Sequence, residues 1–226
     1  MVYIKICGIR RKEDIRYLNK YMPQYAGFIF AESKRRVSPD EASMLIKSLD
    51  KRIKPVGVFV NESLDRVADI ARICGLKAVQ LHGDESPEYL QQLRNRLSEI
   101  NIKNKDDGNG MPLNIQIWKA FRVSENFIAD CLKKYNADAY LLDSYSKESY
   151  GGTGEIFNWD IAVSAKKYGK IILAGGLNPL NAVQAIEYTR PFGLDVSSGV
   201  ETDGYKDETK IRNFIQSVSR YYKNRE

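Results

Sequence analysis

The stretch IILAGGLNP, residues 171–179, contains an apolar run, two glycines and a helix start in that order, and similar units recur along the chain. Ile171–Ala174 has the length and β-branched character of a buried strand. Asn178-Pro179 marks a helix start, because proline is favoured in the first helical turn. Gly175 and Gly176 lie between the two, where the lack of a Cβ lets backbone amides approach an anion. The stretch therefore predicts a strand-to-helix unit with an anion-binding turn.

Short β-rich runs alternate with helical or amphipathic stretches along the whole chain, which indicates βα units and a parallel sheet. Serine followed by proline marks two of the helix starts, at Ser38-Pro39 and Ser86-Pro87. The predicted strands are Tyr3–Cys7, Tyr25–Phe30, Pro55–Val60, Ala78–Leu81, Ile115–Phe121, Ala139–Asp143, Ile171–Ala174 and Phe192–Val196. Eight such units predict an α/β fold in which residues 1–226 form a single (β/α)8 barrel domain, a TIM barrel.

This architecture has one alternative and one irregular segment. An open doubly wound sheet usually has fewer strands and a glycine-rich turn after its first strand, where this chain has only CGIR at 7–10. The polar, turn-rich segment 101–114, NIKNKDDGNGMPLN, lies between the fourth predicted helix and the fifth predicted strand, and we interpret it as a surface insertion. Because helix-to-strand loops lie on the face of a barrel away from the chemistry, we expect this segment to be dispensable for activity.

The composition, 43% hydrophobic and 28% charged residues, is that of a soluble globular protein. No apolar run approaches the roughly 20 residues that cross a bilayer, so we expect no membrane partner. MVYIKICGIR at 1–10 has no long apolar core after a basic region, and the three cysteines form no CxxC pair, so we expect a cytoplasmic protein. The net charge of +6 comes from basic residues spread along the chain, which suits a small anionic substrate and predicts no nucleic-acid partner.

The sequence also bears on cofactors, metals and the oligomeric state. A single histidine and three scattered cysteines provide no metal-ligand spacing, and neither GxGxxG nor GxxxxGK[ST] occurs. The sequence therefore predicts that the protein uses no metal and no cofactor. It is compatible with both a monomer and a homodimer.

Chemistry in a (β/α)8 barrel lies at the carboxyl ends of the strands, where the sequence puts Cys7 and Asp143. A thiolate can act as a base and a protonated carboxyl group as an acid, so the pair suits an isomerase, which removes one proton and delivers another. Cys7 could instead be a small buried hydrophobe, as we expect of Cys74 and Cys131. Asp143 could cap the loop that starts at Ser144.

Three further polar residues are candidate substrate contacts. Arg35, within SKRR at 33–36, could clamp a carboxylate with two parallel hydrogen bonds or belong to a solvated basic loop. His82, the only histidine, follows the fourth predicted strand and could touch a ligand or satisfy a loop carbonyl. Asp195, near the end of the eighth predicted strand, could contact substrate or hold the serines that follow it.

A second turn of small residues follows the last predicted strand, in LDVSSGVE at 194–201. Its position after a strand matches that of the glycine pair described above. Two such loops on adjacent strands direct backbone amides at one point and suit a phosphomonoester. The predicted phosphate site consists of Gly175, Gly176, Ser197, Ser198 and Gly199.

Eight sequence blocks, spread over nearly the whole chain, have the content and order of one known family. They are KICGIR (5–10), GFIFAESKRRVSP (27–39), VGVFVNE (56–62), VQLHGDE (79–85), LLDS (141–144), YGGTGEIFNWD (150–160), LAGGLNPLNA (173–182) and DVSSGVET with GYKD (195–207). Together they resemble the phosphoribosylanthranilate isomerase family. The resemblance implies a (β/α)8 barrel of tryptophan biosynthesis that catalyses an Amadori rearrangement. The reaction would convert N-(5-phosphoribosyl)anthranilate to 1-(2-carboxyphenylamino)-1-deoxyribulose 5-phosphate.

The resemblance also implies that Cys7 is the general base and Asp143 the general acid. Asp143 would protonate the ribose ring oxygen and open the ring to a Schiff base, and Cys7 would remove the C2 proton to give an enolamine. A base has to lose its own proton first, so we expect the protein to lower the pKa of Cys7.

The same resemblance implies the substrate contacts. Arg35 would hold the anthranilate carboxylate, and Arg36 beside it is an added charge that leaves open which arginine faces the ligand. His82 and Asp195 would line the pocket. The phosphate would rest on the amides of the two glycine-containing turns.

Two rival functions remain. A histidine-pathway isomerase performs the same rearrangement on a larger substrate with two phosphates, but that family typically uses aspartates at both proton-transfer positions, where this chain has Cys7 at one. A non-enzymatic nucleic-acid binder would rest on the net positive charge alone and would bind RNA in a steeply salt-dependent way.

Overall fold

Eight parallel strands close into a barrel in the computed structural model, which describes residues 1–106, 114–124, 126–144 and 159–225, with the backbone alone at 100–106. Each strand pairs with its neighbours in the sequence, and the last strand closes on the first with Lys5 opposite Asp195. The strands are β1 (Tyr3–Cys7), β2 (Tyr25–Ile29), β3 (Lys54–Phe59), β4 (Ala78–Leu81), β5 (Gln116–Val123), β6 (Ala139–Ser144), β7 (Ile171–Leu173) and β8 (Gly193–Val196). The predicted (β/α)8 barrel is confirmed, and the open doubly wound sheet is excluded.

Helices surround the barrel and connect successive strands. They are α1 (Lys12–Tyr21), α2 (Pro39–Lys47), α3 (Leu64–Ile73), α4 (Pro87–Asp106), α5 (Asp160–Ala165), α6 (Ala182–Thr189) and α7 (Glu208–Lys223). After β5 the helical element is a 3₁₀ helix, Ala129–Lys134. A short antiparallel hairpin, β9 (Glu201–Thr202) and β10 (Tyr205–Lys206), lies between β8 and α7.

The two serine-proline helix starts are confirmed. Ser38 Oγ accepts a hydrogen bond from the Glu41 amide over 3.2 Å, and the Glu41 carboxylate accepts one from the Ser38 amide over 2.8 Å. Ser86 Oγ accepts from the Tyr89 amide over 3.2 Å. These caps satisfy amides that have no partner inside the helix, so they fix where α2 and α4 begin.

Helix α4 is longer than the sequence predicts. It continues to Asp106, so the first part of segment 101–114 is helical rather than a loop. The first glycine of the segment is Gly108, so no strong helix breaker precedes the end of α4. Residues 107–113 lie outside the described residues, and the interpretation of the segment as a dispensable insertion stays a prediction.

Apolar side chains fill most of the barrel interior. Tyr25 and Trp118 pack edge to face toward the amino ends of their strands, with their ring centroids 4.9 Å apart. The interior cluster consists of Tyr25, Val56, Ala78, Trp118, Ala120, Ala139, Leu141, Ile172 and Ala174. A second and larger apolar layer packs the outer faces of the strands against the helices. Lys5, Gln80 and Asp195 are buried on the inner face of the barrel, so polar groups begin well inside it.

Membrane spans and metal clusters are absent from the part of the chain that the structure describes. None of its helices combines the length and the apolar character that crossing a bilayer requires. Among the same residues, no three histidine, cysteine, aspartate or glutamate side chains come together in a group that could hold a metal ion.

Candidate active site

The carboxyl ends of the strands meet at one rim of the barrel, and both predicted catalytic residues lie there. Cys7 is the last residue of β1, and Asp143 is the last but one of β6. Cys7 is buried, whereas the Asp143 side chain is 32% exposed at the mouth. The loop after β6, residues 145–158, lies outside the described residues, and with it most of the YGGTGEIFNWD block.

A buried ion pair lies beside Cys7. Lys5 precedes Cys7 by two residues on β1, so both side chains point into the barrel. Lys5 Nζ lies 2.9 Å from Asp195 Oδ2 on β8, and the two side chains are 2% and 8% exposed. Gly27 on β2 makes room for both β1 side chains, because a Cβ there would lie 2.7 Å from Cys7 Sγ and 3.0 Å from Lys5 Cε. Cys7 therefore shares a closed interior site with Lys5 and Asp195.

Burial raises the pKa of Cys7, because a thiolate inside the barrel loses the water that would stabilise its charge. The ammonium of Lys5 lowers the pKa and the carboxylate of Asp195 raises it, and the lysine does not offset the loss of solvent. The expected lowering of the Cys7 pKa is therefore wrong for the protein without substrate. The pattern KIC at 5–7 could not reveal this, since the burial of a strand end depends on residues far away in the sequence.

His82 connects Asp143 to the barrel interior. His82 Nε2 lies 3.4 Å from Asp143 Oδ2. On the other side of the ring, the Gln80 amide nitrogen lies 3.1 Å from His82 Nδ1. With the amide in this orientation Gln80 donates to Nδ1, so a neutral His82 carries its hydrogen on Nε2, the nitrogen that faces Asp143. The N–H of a neutral His82 is thus on the side of the ring that faces the predicted acid.

Arg35 forms a buried ion pair with the hairpin after β8. Arg35 Nε and Nη2 donate to the two carboxylate oxygens of Glu201 over 2.7 and 2.6 Å. Lys206 Nζ donates to the same carboxylate over 2.6 Å. Burial alone would raise the pKa of Glu201, but the hydrogen bonds and charges of these two cations outweigh it and lower the pKa. Arg35 is therefore not part of a solvated loop, whereas Arg36 is exposed and contacts β2 through its backbone.

The loop after β7 has the backbone geometry of an anion-binding turn. Gly175 and Gly176 have φ angles of +80° and +64°, a region that residues with a Cβ rarely adopt. Among the described residues their amides donate to no other group. A side chain at Gly175 would also collide with the end of β6 at Ser144. These glycines therefore leave two amide donors available for a ligand.

The loop after β8 lies directly against this turn. A Cβ at Gly199 would collide with the carbonyl oxygen of Leu177, so the two loops touch backbone to backbone. Ser198 is exposed at the start of a short 3₁₀ helix, Ser198–Val200. Ser197 Oγ donates to the carbonyl oxygen of Cys7 over 3.1 Å, which ties this loop to β1. The predicted phosphate residues are thus brought together next to the strand that carries Cys7.

An open pocket of about 530 Å³ lies at the carboxyl ends of β3, β4 and β5. Arg122 lines it, lies opposite Asp143 in the pairing of β5 with β6, and has an exposed side chain. Residues that line it include Asn61, His82, Asp84, Phe121, Lys119 and Tyr135. The pocket lies across the barrel from the loops after β7 and β8, so a ligand that reached both would pass over the barrel axis.

Sequence analysis missed Lys5, Glu201 and Lys206. The one available signal for Lys5 is a charged residue inside an apolar strand, in step with Cys7. Glu201 and Lys206 belong to the quoted blocks, but their shared partner Arg35 is 166 residues from Glu201. Ion pairs between distant segments leave no local pattern in a sequence.

The fold and the strand-end residues define a class, an enzyme of the (β/α)8-barrel type whose acid and base candidates lie at the carboxyl rim. The comparison with known families is specific. The model of the N-(5'phosphoribosyl)anthranilate (PRA) isomerase family matches residues 4–110 and 103–217. The chain belongs to this family, and the resemblance described from the sequence is confirmed.

Relatives match the chain over nearly its whole length. An N-(5'-phosphoribosyl)anthranilate isomerase of Acetivibrio thermocellus is 51% identical over 96% of this chain and 96% of its own. The crystal structure of phosphoribosyl anthranilate isomerase from Thermotoga maritima is 35% identical and covers 97% of this chain and 100% of that one, with a TM-score of 0.82. A third structure is of a phosphoribosyl anthranilate isomerase in complex with reduced 1-(O-carboxyphenylamino)-1-deoxyribulose 5-phosphate. It is 33% identical, with a TM-score of 0.78, and covers 97% of this chain and 100% of its own.

Proposed function

We propose that this protein converts N-(5'-phosphoribosyl)anthranilate to 1-(2-carboxyphenylamino)-1-deoxyribulose 5-phosphate, an aldose–ketose isomerisation of tryptophan biosynthesis. The observation that carries the proposal is the family match along nearly the whole chain, and the position of Cys7 and Asp143 at strand ends supports it. A relative that binds the reduced form of this product supports the same substrate class. Location in the cytoplasm and assembly as a monomer or homodimer stay predictions.

The first step is ring opening, with Asp143 as general acid. Protonated Asp143 donates to the ribose ring oxygen, the bond from that oxygen to C1 breaks, and the nitrogen lone pair forms the C1=N bond of a protonated Schiff base. Asp143 is left as a carboxylate. The N–H of His82, which faces Asp143 Oδ2 at 3.4 Å, stabilises that negative charge.

The second step is proton removal from C2, with Cys7 as general base. The Cys7 thiolate takes the C2 proton, and the electron pair moves through C1 to the nitrogen, which gives an enolamine and a neutral thiol. The enolamine then tautomerises to the ketone as its enol oxygen loses a proton and C1 gains one. Substrate and product are isomers, so the sequence needs no oxidant or reductant.

The two anionic groups of the substrate are assigned to two sets of residues. We assign the phosphate to the amides of Gly175 and Gly176 together with Ser197, Ser198 and Gly199, because the two glycine amides donate to no other group among the described residues and the two loops touch. We assign the anthranilate carboxylate to Arg35, whose Nε and Nη2 are taken by Glu201, so that Nη1 remains for the ligand. Asp195 lies inside the barrel beneath the substrate and acts on the reaction through its ion pair with Lys5.

Turnover by active-site variants tests this proposal. Anthranilate-type fluorescence is followed as phosphoribosylanthranilate, generated in situ, is consumed by the wild type, Cys7→Ala and Asp143→Asn. We expect turnover by the wild type and losses of roughly a hundredfold or more in both variants. Cys74→Ala is the matched control, since Cys74 is an equally buried thiol on the helix side of the barrel. No turnover by folded wild type overturns the reaction, and full turnover by either variant removes its catalytic role.

A further inference from the structure

Cys7 lies among charged groups from several elements. Lys5 of β1 and Asp195 of β8 flank it inside the barrel, and Lys206 of β10 and Arg35 of the loop after β2 act on it from the rim. Strand β2 faces it with Gly27, which carries no charge. Together with Glu201, which binds both Arg35 and Lys206, these four charged groups set the conditions under which the thiol can ionise.

The charges around Cys7 do not cancel while the thiol is neutral. Glu201 is shared by Arg35 and Lys206, at 2.6 to 2.7 Å. Asp195 pairs with Lys5 at 2.9 Å and with no other cation among the described residues. Burial lowers the pKa of Lys206, and its bond to Glu201 opposes that effect. With Lys206 protonated, three cations face two carboxylates, and one more negative charge would balance the cluster. Ionisation of Cys7 supplies that charge, so the cluster favours the thiolate even though burial opposes it.

Lys5 is the cation with the most direct access to the thiol. Its side chain runs along the same face of β1 as Cys7, and both pack against Gly27. Burial alone would lower the pKa of Lys5, but Asp195 and Cys7 outweigh it and raise the pKa, so the ammonium keeps its proton. A permanently charged ammonium at this depth costs stability unless it is compensated. Asp195 compensates it with one oxygen, while its other oxygen, Oδ1, is buried and has no hydrogen-bond partner in the part of the chain that the structure describes.

We propose that Lys5 is the positioning residue of the catalytic base: its ammonium is the counter-charge of the Cys7 thiolate, and Asp195 both holds the ammonium in place and limits its effect. This inference rests on the proposed role of Cys7 as the base. Lys5 and Asp195 then set, in opposite directions, the pH at which Cys7 becomes a thiolate. Lys5 takes no proton from the substrate and acts only through Cys7.

The opposite directions distinguish this role from a structural one. Removal of Lys5 takes away the cation that stabilises the thiolate, so ionisation of Cys7 moves to higher pH. Removal of the Asp195 charge takes away an anion that opposes the thiolate, so ionisation moves to lower pH. If the pair served only to hold β1 against β8, both substitutions would loosen the same contact. The pH at which Cys7 ionises would then move in the same direction in both variants or stay unchanged.

The experiment measures the alkylation rate of Cys7 by iodoacetamide against pH, in a Cys74→Ala, Cys131→Ser background that leaves Cys7 as the sole thiol. At a fixed pH below the midpoint we expect Lys5→Met to lower the rate by about tenfold, the equivalent of one pKa unit. We expect Asp195→Asn to raise the rate at the same pH. An unchanged profile for Lys5→Met, or shifts of both variants in one direction, overturns the proposal.

Two further variants keep the test decisive. Lys119→Met removes another buried lysine, which lies 3.0 Å from Glu85 but on the outer face of the barrel, and we expect it to leave the Cys7 profile unchanged. If Lys5→Met does not fold, Lys5→Met/Asp195→Asn removes both charges at once. We expect this double variant to lower the rate as well, because the lysine is the stronger of the two influences on Cys7. An unchanged rate in the double variant overturns the proposal.

The outcome is separate from that of the proposed function. Alkylation reports the ionisation of Cys7 whether or not the thiol takes part in catalysis. If Cys7→Ala keeps full turnover while Lys5→Met still shifts the pH dependence of Cys7 alkylation, the assignment of Cys7 as the base fails. The electrostatic effect of Lys5 on Cys7 then stands. If Cys7→Ala is inactive and Lys5→Met leaves alkylation unchanged, the base stands and Lys5 has no role in it.

Discussion

Gly27 illustrates how one residue can decide the geometry of a site. The side chains of Cys7 and Lys5 pack against this glycine of β2. A Cβ at Gly27 would lie 2.7 Å from Cys7 Sγ and 3.0 Å from Lys5 Cε. We expect Gly27→Ala to displace both side chains and to lower kcat/KM by roughly a hundredfold, the scale of a misplaced catalytic group. Overpacking of this kind costs about 1–3 kcal/mol of stability. Steady-state kinetics and urea unfolding measure the two effects.

Gly193→Ala is the control for this prediction. Gly193 is also a barrel-strand glycine, at the amino end of β8, where the nearest atom to an added Cβ is 3.3 Å away. We expect a much smaller loss of activity there. Equal losses in the two variants would show that space beside Cys7 is not the reason for the glycine at position 27.

The pH dependence of the reaction follows from the environment of Cys7. Burial raises the pKa of this thiol, and the thiolate is the active form of a base, so the active fraction grows as the pH rises. We expect kcat/KM to increase up to and beyond the ordinary thiol value of about 8.5. A pH–rate profile of the wild type measures this increase. A profile that is flat above neutral pH would contradict it.

Single residues were predictable where their chemistry depends on a strand end. Cys7, His82 and Asp143 each follow or end an apolar run, and the alternation of the sequence was enough to bring them to one rim. The electrostatics were not predictable. Lys5 and Asp195 are 190 residues apart, and the sign of the Cys7 pKa shift depends on burial created by the closed barrel.

At the scale of elements, the β9–β10 hairpin closes the site on the side of α1 and β2. The Tyr205 ring lies between Arg10 and Arg11, whose guanidinium carbons are 4.5 and 4.6 Å from its centroid. Glu201 binds Arg35, and Lys206 donates to the carbonyl oxygen of Ser197 over 3.0 Å. A two-residue strand pair is too short to be stable alone, so these side chains determine its position.

We expect Glu201→Gln to destabilise the protein by about 3–5 kcal/mol, because it leaves Arg35 and Lys206 without their shared buried carboxylate. The folded state lowers the pKa of Glu201. The stabilisation is therefore fully present at pH values above the ordinary pKa of glutamate, and it is lost as the pH falls through the lowered pKa of Glu201. Urea unfolding at neutral and acidic pH measures both effects.

The control for the hairpin prediction is Glu208→Gln. Glu208 lies 2.8 Å from Lys20, but both side chains are well exposed, so water and salt screen the pair. We expect little change in the free energy of unfolding. A loss as large as that of Glu201→Gln would mean that burial does not account for the strength of the Arg35–Glu201–Lys206 cluster.

The elements themselves were predictable to within two residues at every strand end. Buried parallel strands are short apolar runs bounded by polar turns, and capped helix starts such as Ser38-Pro39 add a second signal. The end of α4 was missed because lysine, asparagine and isoleucine at 102–104 are compatible with both a helix and a loop. The hairpin was missed because its strands depend on distant side chains.

At the scale of the whole molecule, the two ends of the barrel differ in chemistry. Aromatic rings close the amino end, where Tyr3 and Phe192 lie 4.7 Å apart and Tyr25 packs on Trp118. Buried and half-exposed polar groups occupy the carboxyl end. In barrels of this class the amino end contributes stability and the carboxyl end the reaction, so changes at the two ends should have different effects.

Segment 107–113 tests this division. It connects the end of α4 to the start of β5, and both of these points belong to the amino end of the barrel. We expect replacement of 107–113 by a short glycine-serine linker to leave kcat/KM within about twofold of the wild type, because helix-to-strand loops lie away from the reaction. The fluorescence assay measures it. A loss as large as that of Asp143→Asn would mean that the segment reaches the site.

The pairing of β1 with β8 has a consequence for the order in which the protein is made. Lys5 and Cys7 leave the ribosome well before Asp195, which lies 190 residues after Lys5. Until then the sheet has two unpaired edges, and Lys5 has no carboxylate opposite it. The emerging chain therefore cannot assemble its reactive centre piece by piece, and the residues of β1 wait for the synthesis of β8 before they can function.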